Sequence, residues 1–187
     1  MANVLGIAGS VRTGSFNGSL LRAAIELAPE GCNVQSASIR GIPLYDGDLE
    51  KESGIPEAVT ALKERIIATD ALLLVTPEYN NSIPGVFKNA IDWLSRPPAD
   101  IARVFRGRPV ALIGASPGPA GTGLAQVAWL PVLRTLGTRP WFGGRLTVGN
   151  ASSVFDASGN LVDDKVRAQL KTFMEGFAKE IALLKHS

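Results

Sequence analysis

Short runs of consecutive apolar residues, such as Val4-Leu5-Gly6-Ile7-Ala8 and Ala71-Leu72-Leu73-Leu74-Val75, recur along this chain with amphipathic segments of helical period between them. A strand whose successive residues are all apolar is buried on both faces, and a parallel sheet covered by helices on each side achieves that burial. The pattern therefore predicts a doubly wound α/β fold. Strands are expected over 4–8, 34–39, 71–75, 110–115 and within 141–148, the second more alternating than the rest. Five strands with about five helices predict the sheet order 2-1-3-4-5, which sets the ends of the first and third strands side by side where the winding direction reverses. A chain of 187 residues, 45% of them hydrophobic, can bury a sizeable core in this arrangement.

The helices are legible from their apolar periods. One is expected over 17–28, with Leu20, Leu21, Ala24, Ile25 and Ala28 inward and Pro29 as its stop. A second over 56–68 buries Val59, Leu62, Ile66 and Ile67. A third starts near Pro84, points Phe87, Ala90, Ile91 and Leu94 inward and ends at Pro97-Pro98. The last carries a stripe of Val162, Val166, Leu170, Phe173, Phe177, Ile181 and Leu184. The segment from Leu124 to Leu136 differs, because it leaves almost no polar face and contains Pro131. A helix apolar all round needs cover on two sides, so this one is expected to pack against another subunit.

Charge and cysteine usage exclude several classes of function. Lys plus Arg number 19 against 17 for Asp plus Glu, a net +2, and no basic block alternates with aromatics, so nucleic acid is not an expected partner. The N-terminus lacks the basic and apolar regions of a secretion signal, and no apolar run approaches the ~20 residues of a membrane span. With the single cysteine, Cys32, there is no intramolecular disulfide, and a cytoplasmic location is expected. Cys32, His186 and the Asp156, Asp163 and Asp164 group are read as carrying no chemistry. Asp46, Asp48, Glu50 and Glu52 are read as a solvated loop, 96–107 as an ordinary connection, and no metal site is expected.

Two polar runs follow the first and third strands and emerge at the same crevice: Gly9-Ser10-Val11-Arg12-Thr13-Gly14-Ser15-Phe16-Asn17 and Thr76-Pro77-Glu78-Tyr79-Asn80-Asn81-Ser82-Ile83-Pro84-Gly85. The first run offers the side chains of Ser10, Ser15 and Asn17, the Arg12 guanidinium and a helix N-terminus, a set suited to a terminal phosphate dianion. It is not a triphosphate loop, because Ser15 and Phe16 stand where Lys and Ser/Thr would be needed, and its glycines are wrongly spaced for a dinucleotide. In the second run, Pro77 fixes the backbone and Asn80, Asn81 and Ser82 favour a compact turn. Its amides suit the edge of an isoalloxazine, with Tyr79 as an aromatic surface beside it. A weaker third contributor is the loop from Ser116 to Gly123, where Ser116 can reach a ring edge. No nucleophile stands with a base, so a flavin cofactor would carry the chemistry.

Gly-Ser-x-Arg-x-Gly-Ser-x-Asn at 9–17, Pro-Leu-Tyr-Asp at 43–46, and Thr-Pro-Glu-Tyr-Asn at 76–80 continuing to Lys88-Asn89-Ala90-Ile91-Asp92-Trp93 together resemble the NAD(P)H-dependent FMN reductase family. Within it they are most like the quinone and chromate reductase branch. The resemblance implies a flavodoxin-like fold, with residues 1–187 as a single FMN-binding domain. It places Ser10, Arg12, Ser15, Phe16 and Asn17 around the phosphate and ribityl, and Pro77, Glu78, Tyr79, Asn80 and Asn81 along the ring, with Ser116 closing the third side. It further implies a homodimer or homotetramer and ping-pong hydride transfer: NADPH or NADH reduces flavin N5, and a small-molecule acceptor then takes the electrons. Quinones, flavins, azo compounds and oxidised metal ions are acceptors of this family. The rival reading is a flavodoxin-like electron carrier. Such carriers are strongly acidic, which the net charge of +2 does not match.

Overall fold

The computed structural model describes residues 1–185, so the expectation made for His186 lies outside the described residues. In chain order the elements are β1 (Ala2–Ala8), α1 (Phe16–Glu26), β2 (Cys32–Ala37), α2 (Gly47–Ser53), α3 (Glu57–Ile67), β3 (Ala71–Val75), α4 (Gly85–Leu94), α5 (Ile101–Val104), β4 (Pro109–Ala115), α6 (Gly123–Thr135), β5 (Arg139–Pro140), β6 (Leu146–Val148), α7 (Ala151–Val154) and α8 (Asp164–Lys185). All pairings are parallel and the order is β2-β1-β3-β4-β5, with β6 also on β4. The doubly wound, flavodoxin-like order expected from the apolar runs is the one observed.

Period-two alternation along the central strands divides the interior between the two sheet faces. Val4, Leu73 and Ile113 pack with Leu20 of α1 and Leu170 and Phe177 of α8. Leu5, Ile7, Leu72 and Leu74 pack with Ile66 of α3, Phe87 and Trp93 of α4 and Trp129 of α6. Each such side chain contributes roughly 1.5–3 kcal/mol by leaving water. Among the described residues no helix is long and apolar enough to cross a membrane.

Several expectations are corrected. The fifth lane of the sheet is two short strands with a break between them; the Trp141 N–H still donates to the Val110 carbonyl at 2.8 Å, while its ring lies edge-on against Phe173 at 5.0 Å and tilted against Phe177 at 5.4 Å. The acidic segment after residue 45 is helix α2, capped where Asp46 Oδ1 accepts the Asp48 N–H at 2.9 Å. Its Glu50 accepts from Arg96 Nε at 2.8 Å and from the Tyr45 hydroxyl at 3.0 Å, and the Arg96 bond holds its carboxyl below the usual carboxylate range. The connection after α4 contains a 3-10 turn, Pro98–Asp100, followed by α5. Val162 lies ahead of α8 and is 55% exposed, because Asp163 caps that helix by accepting the Val166 N–H at 2.8 Å. In α6, Ala125, Trp129 and Leu133 are buried while Leu124 and Val127 stand in solvent.

Candidate functional site

The loops after β1, β3 and β4 converge on a cavity of about 280 Å³ at the carboxyl edge of the sheet. Two glycines allow the approach. A Cβ on Gly9 would lie 2.0 Å from the Phe87 ring, so only glycine lets the first loop rest directly on α4. One on Gly114 would lie 2.1 Å from the Thr76 carbonyl oxygen, where the second loop leaves β3.

The first loop brings Ser10, Arg12, Ser15, Phe16 and Asn17 to the cavity wall, as expected. Ser15 is the N-cap of α1, its Oγ accepting the N–H groups of Asn17 at 3.2 Å and Gly18 at 3.4 Å, so the positive end of that helix opens on the cavity. The Arg12 guanidinium is exposed, with Nη2 donating to the Gly14 carbonyl at 3.4 Å and Cζ 5.9 Å from the centre of the Phe16 ring. Ser10 Oγ accepts the Arg12 N–H at 3.3 Å. Asn17 also has a structural part. Its carboxamide donates to the Ala115 carbonyl at 2.8 Å and accepts the Ala115 N–H at 2.9 Å, stitching α1 to the end of β4 at the cavity wall.

From the second loop, Pro77, Glu78 and Tyr79 line the cavity. Tyr79 and Ser82 exchange N–H to O bonds of 3.1 and 3.0 Å, and between them Asn80 and Asn81 take left-handed φ angles of 50° and 60°. That is a two-residue turn with both central residues at positive φ, a conformation asparagine tolerates. The turn expected here forms, but Asn80 and Asn81 stand exposed at its tip, off the cavity wall. Glu78, on the cavity wall, is also tied to α6. Its Oε2 accepts the Ala125 N–H at 2.9 Å, where a carboxylate complements the first turn of α6. The third loop contributes Ser116, as expected, together with Ala115 and Pro117.

Thr76 was not singled out from the sequence. It is fully buried, donates to the Pro77 carbonyl at 2.8 Å and accepts from Trp129 Nε1 at 3.1 Å, fastening the second loop to α6. Pro-Leu-Tyr-Asp at 43–46 is likewise a fastening. The Pro43 carbonyl accepts from Asn89 Nδ2 at 2.8 Å and Trp93 Nε1 at 2.9 Å, and the Tyr45 N–H donates to Asn89 Oδ1 at 2.8 Å. Cys32 opens β2, and burial pushes its thiol pKa up. Among the described residues no cluster of three or more His, Cys, Asp or Glu side chains is placed to hold a metal ion.

The donor set of the first loop suits a phosphate monoester, and Pro77, Tyr79 and Pro117 of the other two loops give flat walls for a ring. Fold and site together define a flavodoxin-like, mononucleotide-binding protein. Residues 2–153 match the model of the NADPH-dependent FMN reductase family. An NAD(P)H-dependent FMN reductase of Pseudomonas aeruginosa is 48% identical over 164 residues, spanning 88% of this chain and 86% of that protein. A 2-hydroxy-1,4-benzoquinone reductase of a Burkholderia species is 41% identical over 172 residues, 92% of each. Among solved structures, the flavoenzyme NAD(P)H:(acceptor) oxidoreductase FerB of Paracoccus denitrificans superposes with a TM-score of 0.85 at 35% identity, over 97% of this chain and 98% of that one. The chain therefore belongs to the NADPH-dependent FMN reductase family, an oxidoreductase family that uses FMN and a nicotinamide donor.

Proposed function

We propose that this enzyme holds FMN in the cavity and passes electrons from NADPH or NADH to a quinone, donor and acceptor visiting the same open face in turn. The observation that carries the reading is the convergence of Ser10, Arg12 and Ser15 with Pro77, Tyr79 and Ser116 on one cavity. FMN held there would supply the redox chemistry, a two-electron relay between nicotinamide and acceptor. Arg12, the Ser10 and Ser15 hydroxyls and the α1 terminus bind the phosphate. Pro77 and Tyr79 orient the ring, Ser116 meets its edge, and Phe16 screens the ribityl chain from water. Asn17 acts one step removed by fixing α1 against β4, while Asn80 and Asn81 shape the turn that carries Tyr79. A quinone is favoured among the acceptors by the benzoquinone reductase relative, and Tyr79, 51% exposed on the cavity wall, offers such a ring a flat aromatic neighbour.

Both cores share one sheet, which supports a single domain over 1–187. The exposed Leu124, Val127 and Phe142 support a homodimer or homotetramer. A cytoplasmic setting agrees with an unpaired Cys32 and with a supply of reduced nicotinamide. The decisive experiment is anaerobic. The FMN-loaded protein should lose its oxidised-flavin absorbance when NADPH or NADH is added and regain it with benzoquinone, whereas persistence of that absorbance with both donors identifies a carrier instead. Arg12→Ala should weaken FMN by roughly 1.5–3 kcal/mol, read by fluorescence titration, and unchanged affinity would remove Arg12 from the phosphate site.

A further inference from the structure

The loop after β2 carries a second guanidinium to the first polar loop. Arg40 Nη2 donates to Thr13 Oγ1 at 3.3 Å, next to Arg12 in sequence. Its backbone is set from both sides: the Arg40 N–H donates to Ser38 Oγ at 3.1 Å, and Gly41 turns the chain with a φ of 79°. Two residues beyond that turn, the Pro43 carbonyl is bound to α4 through Asn89 and Trp93. Neither Arg40 nor Arg12 forms an ion pair with a carboxylate among the described residues. They differ in one respect that matters. Arg12 lines the cavity, whereas Arg40 and Thr13 stand outside its wall. An anchored and exposed guanidinium is thus presented beside a hydroxyl, one residue along the chain from the cavity-lining Arg12, with no carboxylate paired to it among the described residues.

We infer that Arg40 and Thr13 form a phosphomonoester site that receives the 2′-phosphate of NADPH and makes this chain prefer NADPH to NADH. The inference rests on the cavity being the FMN site. A phosphomonoester carries about −1.5 to −2 charges near neutral pH, and a guanidinium meets it with two parallel N–H bonds. NADH has only a hydroxyl at that position, so the contact exists with one donor and not the other, which is the condition for discrimination. The FMN phosphate shares the chemistry, but it belongs with the groups on the cavity wall, and Arg40 is not among them. The fixed loop backbone leaves little to order on binding beyond the arginine side chain itself.

The test uses the FMN-loaded protein at low ionic strength, where an exposed charge acts most strongly. Wild type should favour NADPH in kcat/KM. In Arg40→Gln the ratio of NADPH to NADH efficiency should fall about 10-fold, through the KM for NADPH, with Arg40→Lys between the two. Calorimetry should show about 10-fold weaker binding of 2′,5′-ADP to Arg40→Gln and equal binding of 5′-AMP to both forms. An unchanged donor ratio, or a matching loss of FMN affinity in the apoprotein, overturns the proposal. A wild-type protein that binds no FMN overturns this inference and the cavity reading together, whereas one that binds FMN and turns over both donors equally overturns this inference alone.

Discussion

Asn17 shows how much a single side chain can depend on distant sequence. Read locally, it is one more polar group in a phosphate loop, and its type, position and neighbours all agree with that reading. In the folded chain it is 3% exposed and both ends of its carboxamide are bound to the backbone of Ala115, 98 positions away. No property of residues 9–17 contains that information. Asn17→Ala would strand a buried N–H and a buried carbonyl, each costing about 1–3 kcal/mol. We therefore expect a loss of roughly 2–4 kcal/mol in urea denaturation, accompanied by weaker FMN binding as the first and third loops lose their register. Weaker FMN binding with unchanged stability would return Asn17 to the phosphate. The place of Ser10, Arg12 and Ser15 on the cavity wall was readable because it follows from local chemistry, whereas Ala115 and Pro117 reach the wall through the path of the backbone and leave no side-chain signal. Asn80 and Asn81 were legible as a turn because positive φ is a property of residue type.

Elements were legible where an apolar period marked them and silent where a tether did. Helix α2 has four acidic positions in and around it and no apolar stripe, so periodicity had nothing to find. It is held by the Asp46 cap and the bonds of Glu50 to Arg96 and Tyr45. The segment after α4 is tethered in the same way. Lys63 of α3, 2% exposed, donates to Asp100 Oδ2 at 2.9 Å and also to the Arg96 carbonyl. Lys63→Met should cost roughly 1–3 kcal/mol, less than a fully buried pair because Asp100 keeps partial access to water. The Lys63 hydrogen bond is the foremost cause holding the Asp100 carboxyl below its usual range. A carboxyl whose pKa is lower in the folded chain contributes stability above its unfolded value, about 3.9, and loses it as pH falls through the folded value. Wild type should accordingly lose stability below about pH 4 more steeply than Lys63→Met/Asp100→Asn, measured by urea midpoints across that range. Parallel slopes would show that the pair is not coupled to folding.

At the scale of the whole molecule, the exposed apolar side chains stand out. Val127 and Phe142 are 59% and 74% exposed and line one groove between α6 and the interrupted fifth lane, while Leu124 is 54% exposed on the same helix. An apolar helix face left in water favours association with a second copy. Val127→Glu should lower the mass measured by light scattering toward that of one chain, with little change in monomer stability because the side chain is already solvated. An undiminished mass would place the interface elsewhere. The sequence by itself determined the layered architecture, the strand order and the three loops that meet at the cavity, because alternating burial, helix periods and turn chemistry act between residues close along the chain. Only the tertiary structure decided the splitting of the last sheet lane, the backbone partners of Asn17 and Glu78, and the meeting of Arg40 with Thr13. Each of those depends on contacts between segments far apart in sequence, whose geometry exists only after the sheet has closed and its helices have packed.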